Sequence, residues 1–155
     1  IQLMEDIKDP SINLTLFYSN PSLYADEQKK DLKVIYYNWL MDMAKKMENF
    51  KVVFSFTRDK EAYLADHERI FYRKGRFFIA PNGEKEMTLS KYHGNSNTSF
   101  NPVCGSSGFI NGIVKLPDGR IERRGGIIQA LMDIERVTPD KIDKEQYYLQ
   151  LAGVE

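Results

Sequence analysis

The sequence predicts an α+β fold: a mostly antiparallel sheet, one long amphipathic helix after the first strand, and two C-terminal helices packed on one face. Three observations carry that expectation. Apolar residues recur at helical spacing after residue 20, period-two runs rich in β-branched and aromatic residues follow, and two Pro-Asx-Gly turns sit between strand-like flanks.

Residues 13–19 (NLTLFYS) read as a strand, and Asn20 before Pro21 reads as a helix start, with a capping side chain ahead of a proline at the first helical position. Leu32, Ile35, Tyr36, Trp39, Leu40, Met43 and Met47 then recur at spacings of three and four. Lys29, Lys30, Lys33, Asp42, Lys45 and Lys46 fall on the other faces. That is the stripe of a helix packed on a core, and it assigns those side chains no ligand. KVVFSFT (51–57) returns to strand character and completes a β-α-β opening. Residues 59–66 suit a short helix, and RIFYRKGRFFIA (69–80) suits a hairpin turning at Lys74-Gly75. Pro81-Asn82-Gly83 and Pro117-Asp118-Gly119 place glycine where a hairpin turn needs positive φ. Ile127, Ile128, Leu131, Met132 and Ile134 fit a helix after Gly125-Gly126. Thr138-Pro139-Asp140 opens a second one running to about Leu151, which Gly153 can end.

The chain of 155 residues has 42% apolar residues, nine Phe and nine Tyr, enough to bury a core, and no linker divides it, so residues 1–155 are expected to form one domain. Lys plus Arg equals Asp plus Glu at 22 each. No global field steers the protein to nucleic acid or an acidic membrane, so any anion site must be local. The single cysteine excludes an internal disulfide and favours a reducing, cytoplasmic setting. The Asn13-Leu14-Thr15 and Asn97-Thr98-Ser99 triplets would matter only in a glycosylating pathway. No apolar run approaches the roughly 20 residues that span a bilayer. The chain opens at Ile1 rather than Met, as a processed precursor or a trimmed fragment would.

Residues 90–108 (SKYHGNSNTSFNPVCGSSG) lack hydrophobic periodicity and are dense in Ser, Asn and Gly, so they read as a long polar loop. Asn95 and Asn97 there could bind a partner by hydrogen bonds. The loop also carries His93 and Cys104. A cysteine nucleophile needs a base within hydrogen-bond reach, and a hydrolase or nuclease site would have to gather His93, Cys104, Asp66, His67 and Glu68 across space. Cys104-Gly105-Ser106-Ser107 resembles the papain-type nucleophile segment, but serine occupies the nucleophile's place, and a lone cysteine suits packing. Asp66, His67 and Glu68 are adjacent and diverge, so they form no metal-ligand spacing. The sequence calls for neither a metal nor a cofactor.

The remaining constellation is basic. Arg69 and Arg73 alternate along a strand, Lys74 and Arg76 follow at the turn, and Arg120, Arg123 and Arg124 form a second cluster. With aromatic rings between them, these side chains could build a local basic patch for nucleic acid or an acidic protein surface. YLADHERIFYRKGRFFIAP followed by GFINGIVKLPDGRIERRGG is similar to DNA-contacting strands that accompany some phage HNH nucleases. The nuclease's own Asn and His do not follow, so no catalytic residue is carried over. The sequence therefore favours a non-catalytic module that engages a macromolecular partner through loop 90–108 and the basic patch. The small hydrolase or nuclease and a structural or assembly subunit stand as alternatives.

Overall fold

The computed structural model describes residues 8–59, 63–123 and 125–145. They belong to two compact units, Ile1–Glu84 and Lys85–Glu155.

The first unit is built on three strands, β1 (Leu14–Asn20), β2 (Phe50–Phe56) and β3 (Ile70–Lys74), in that order and all parallel. Phe54 is flanked by Tyr18 on β1 and Tyr72 on β3. The connections 21–49 and 57–69 are long crossovers, and a crossover returns the chain parallel where a tight hairpin would reverse it. The mostly antiparallel sheet expected from the sequence is thus overturned. A central parallel strand is covered on both sides and reads as a continuous apolar run, as β2 does. Phe50, Val52, Phe54 and Phe56 pack on one face with Leu23, Val34, Leu40, Met43, Ala44 and Ile70. Val53 and Ser55 are buried on the other face.

That other face is closed by the chain leaving β3. No hairpin forms at Lys74-Gly75; Gly75 turns with φ 81°, and Phe77 and Phe78 fold back as buried residues. Phe77 meets Phe17 edge-on at 5.6 Å, and the Arg73 guanidinium lies 5.7 Å from the Phe77 ring centre.

The helix expected to start at Pro21 is instead one short helix, α1 (Tyr37–Lys46). Asn20 stays in β1 opposite Phe56, and its side-chain amide donates to the Ser22 carbonyl rather than capping a helix. Between them the chain doubles back: the Ala25 and Lys33 amides donate to the Asp31 and Leu23 carbonyls, and Tyr24 bridges Leu32. Lys29 and Tyr36, at φ 57° and 60°, interrupt any helix before Tyr37. At its far end α1 has Lys45 and Lys46 in the last turn. Arg69 adds a cap there, donating from Nε to the Ala44 carbonyl at 2.8 Å and from an Nη to the Lys45 carbonyl at 3.1 Å.

The second crossover contributes Tyr63, whose hydroxyl donates to Asp59 at 3.0 Å, while Asp59 also accepts the Leu23 amide at 3.2 Å. Tyr63 to Asp66 are not helical, and the rest of the expected short helix, residues 60–62, lies outside the described residues. Tyr63 packs edge-on against Phe56 and Tyr72, and Tyr72 shares a hydroxyl contact with Tyr37. Burial raises the pKa of Tyr37 and Tyr72 and, with the Asp59 carboxylate beside it, pushes Tyr63 up to about 12. Above the ordinary value of 10.0 the unfolded chain loses these protons first, so folding binds more protons and stability falls as pH rises from there to about 12. Melting temperature should drop across that window. A flat profile, with all nine tyrosines titrating at the ordinary value, would contradict the packing.

The second unit contains α2 (Thr88–His93), a 3-10 turn (Ser96–Thr98), β4 (Asn101–Cys104), α3 (Ser107–Asn111), β5 (Ile113–Lys115), β6 (Ile121–Arg123), α4 (Ile127–Asp133), a second 3-10 turn (Pro139–Lys141) and β7 (Ile142–Glu145). β4 pairs in parallel with β7, and among the described strands only β5 and β6 form an antiparallel pair. The second C-terminal helix is therefore a single turn leading into a strand, and its expected remainder, residues 146–151, lies outside the described residues. Among the described residues of this unit, Leu89, Val103, Ile110, Leu131 and Val137 are the buried apolar ones.

Candidate functional site

The polar stretch Ser90–Gly108 is structured rather than a long loop: it spans the end of α2, a 3-10 turn, β4 and the start of α3. Its organising residue is Glu135, which is 4% exposed. One carboxylate oxygen accepts the Leu89 amide at 2.6 Å and the Ser90 amide at 3.3 Å. The other accepts the hydroxyls of Ser90 at 2.7 Å and Ser96 at 2.8 Å. A buried carboxylate without a cation is tolerable when both oxygens are filled by donors, and here they are.

The asparagines are also turned inward to their own turn. The Asn95 side chain accepts the Asn97 amide at 3.1 Å, and the Asn95 carbonyl accepts the hydroxyls of Thr98 and Ser99. Asn101 donates to the carbonyls of Ser96 and Ser99. Asn95 and Asn97 themselves are exposed.

The residues considered for catalysis are distributed over both units. Asp66 pairs with Lys45 at 3.2 Å, and that hydrogen bond lowers its carboxyl pKa. The Nδ1 of His67 accepts the Arg69 amide at 3.2 Å, and Glu68 pairs with Arg69 at 3.1 Å. In the other unit His93 ends α2, where Gly94 turns the chain with φ 84°, and Cys104 ends β4 as an exposed thiol rather than a packed one. Among the described residues, no three of the His, Cys, Asp and Glu side chains gather as metal ligands.

The basic residues divide by burial. Arg69 caps α1, and Arg73 is buried with its guanidinium donating to the carbonyls of Arg76 and Ile79. Both serve the fold. Lys74, Arg76, Arg120 and Arg123 are exposed, with Arg120 paired to Asp118 at 2.7 Å, and Arg124 lies outside the described residues.

Part of the apolar stripe expected to pack on a core is exposed. Leu32, Ile35, Tyr36 and Trp39 are all exposed, Tyr36 by 73% and Ile35 by 59%, while Val34 among them is 5% exposed. Tyr36 meets Trp39 edge-on at 6.2 Å. The spacing is helical, but the helix begins only at Tyr37, so the earlier positions lose the common face that periodicity implies. The left-handed φ of Tyr36 costs roughly 1–2 kcal/mol in a non-glycine residue. No sequence signal separates this stripe from a buried one. Comparisons with protein-family models, curated proteins and solved structures find no match for this chain.

Proposed function

We propose that this chain is a non-catalytic interaction module that engages a protein partner through Leu32, Ile35, Tyr36 and Trp39. The observation that carries this reading is the exposure of four large apolar side chains within eight residues, on a segment anchored by buried Leu23 and Val34. Water contact with such side chains is unfavourable, and a partner that covers them recovers that free energy. Tyrosine and tryptophan suit a contact surface because each brings large area at low side-chain entropy. The anchors limit what the segment must lose in ordering itself on binding. Ser90–Gly108 serves this reading as scaffold, since the Ser90 and Ser96 hydroxyls are spent on Glu135 and the Asn95 turn closes on itself.

A Tyr36→Gly, Trp39→Ser double variant tests it. Glycine accepts the left-handed backbone and offsets part of the packing lost with the covered part of Trp39, so the fold should melt below the parent but remain cooperative. Proteins retained by the immobilised parent from its source extract should be lost by this variant and kept by a Lys46→Gln control. Retention of the same proteins by all three would remove the surface from consideration.

A further inference from the structure

The carboxyl edge of the β1–β2–β3 sheet carries a second feature, independent of the apolar surface. In open parallel sheets the loops beyond the carboxyl ends of the strands form the usual place for small ligands. Here Asn20, Phe56 and Lys74 end the three strands in one row, and Arg58 and Arg76 follow just beyond β2 and β3. Arg58, Lys74 and Arg76 are exposed, and none is paired with an acid among the described residues. By contrast Lys45, Lys46, Arg69, Lys91 and Arg120 all have carboxylate partners. Among the described residues the carboxylate next to Arg58 in sequence is Asp59, and it accepts the Leu23 amide and the Tyr63 hydroxyl.

The backbone at this edge is oriented as well. Buried Ser55 donates its hydroxyl to the Gly75 carbonyl, and buried Arg73 donates to the Arg76 carbonyl. Both carbonyls therefore point toward the sheet. A trans peptide sets its N–H opposite its carbonyl, so the amides of Arg76 and Phe77 point away from it. Neither amide has an acceptor among the described residues. Two successive outward amides form a concavity that suits an anion, and arginine side chains add planar forks that match phosphate oxygens.

We propose that the turn Gly75–Phe77, with Arg58, Lys74 and Arg76, binds the phosphate group of a small phosphate-bearing molecule. Arg73 is a positioning residue in this site: it fixes the turn and does not face the ligand. The neutral net charge of the chain is compatible with a local site and offers no extended track for a polyanion.

The test is a titration of the 15N-labelled protein with inorganic pyrophosphate at constant ionic strength. The Arg76 and Phe77 amide signals should shift and saturate, and each of Arg58→Gln and Arg76→Gln should weaken binding roughly tenfold. Lys46→Gln should leave it unchanged. Chloride producing the same shifts, or binding indifferent to the two arginine variants, would overturn the site. Saturation by a single-stranded oligonucleotide but not by pyrophosphate would overturn the small-molecule assignment.

Discussion

Replacing Glu135 with Ala should cost the second unit about 3–5 kcal/mol, because the substitution strands four donors at once. The Leu89 and Ser90 amides and the hydroxyls of Ser90 and Ser96 all donate to this one carboxylate. Leu89 and Ser96 are buried, so water cannot reach their two donors without opening the structure, whereas exposed Ser90 can turn its own toward solvent. A domain's whole stability is about 5–15 kcal/mol, so the loss is a large part of it. Glu135→Gln keeps one good acceptor but turns an NH2 toward donors, and an intermediate loss is expected. Denaturant unfolding measures both. A loss under about 1 kcal/mol for the alanine variant would show that Glu135 does not hold α2 and the Ser96 turn in place.

The second large effect lies where two backbone segments touch. Gly112 ends α3 with φ 69°, and a Cβ built there would sit 1.7 Å from the Gly125 carbonyl oxygen. A Cβ on Gly126 would fall 2.5 Å from the Ile110 carbonyl oxygen and 2.6 Å from the Gly112 nitrogen. No rotamer relieves a clash between backbones, so the end of α3 and the start of α4 would have to separate. Gly112→Ala adds a left-handed conformation that alanine resists by roughly 1–2 kcal/mol. Either substitution should leave the second unit largely unfolded at ambient temperature. Gly119→Ala is the control: its φ is 86° but nothing lies within 4 Å of a new Cβ, so only the backbone penalty applies. Circular dichroism and thermal melts should separate the three variants in that order of severity. Equal, small effects at all three positions would contradict the close approach of Gly112 and Gly126.

Features set by local chemistry were legible in the sequence. The two Pro-Asx-Gly turns make the same three hydrogen bonds. Gly83 and Gly119 amides close on the Ala80 and Leu116 carbonyls, and those residues' own amides donate to the Glu84 and Arg120 carbonyls. The Asn82 and Asp118 side chains accept from the amides two residues on. The β-α-β opening and α4 followed from periodicity in the same way. Strand direction did not, because the crossover from β2 to β3 decides it, and the short helix its sequence suggests over 59–66 is not formed at Tyr63–Asp66. The Asn20-Pro21 start signal was overridden when β1 extended through Asn20 to pair with Phe56. Glu135 was invisible because Ser90 and Ser96 lie 45 and 39 residues away from it in the chain. Arg69 looked like a surface cation for a related reason, since the helix it caps lies 25 residues back in the chain, and Arg73 did because the turn that follows it folds back over it where a hairpin was expected. Burial of a charged side chain depends on such contacts, and spacing alone does not report it.

The contact surface can be tested without a partner, because Trp39 is the only tryptophan in the chain. With the residue 40% exposed, its fluorescence should resemble that of a partly hydrated indole and should be quenched readily by acrylamide. The most direct measurement is that quenching in the native protein, compared with the same protein in denaturant. Native quenching at a large fraction of the denatured value is the expected result. Strong protection, with emission typical of an apolar interior, would return Leu32, Ile35, Tyr36 and Trp39 to the core and contradict the proposed interaction surface.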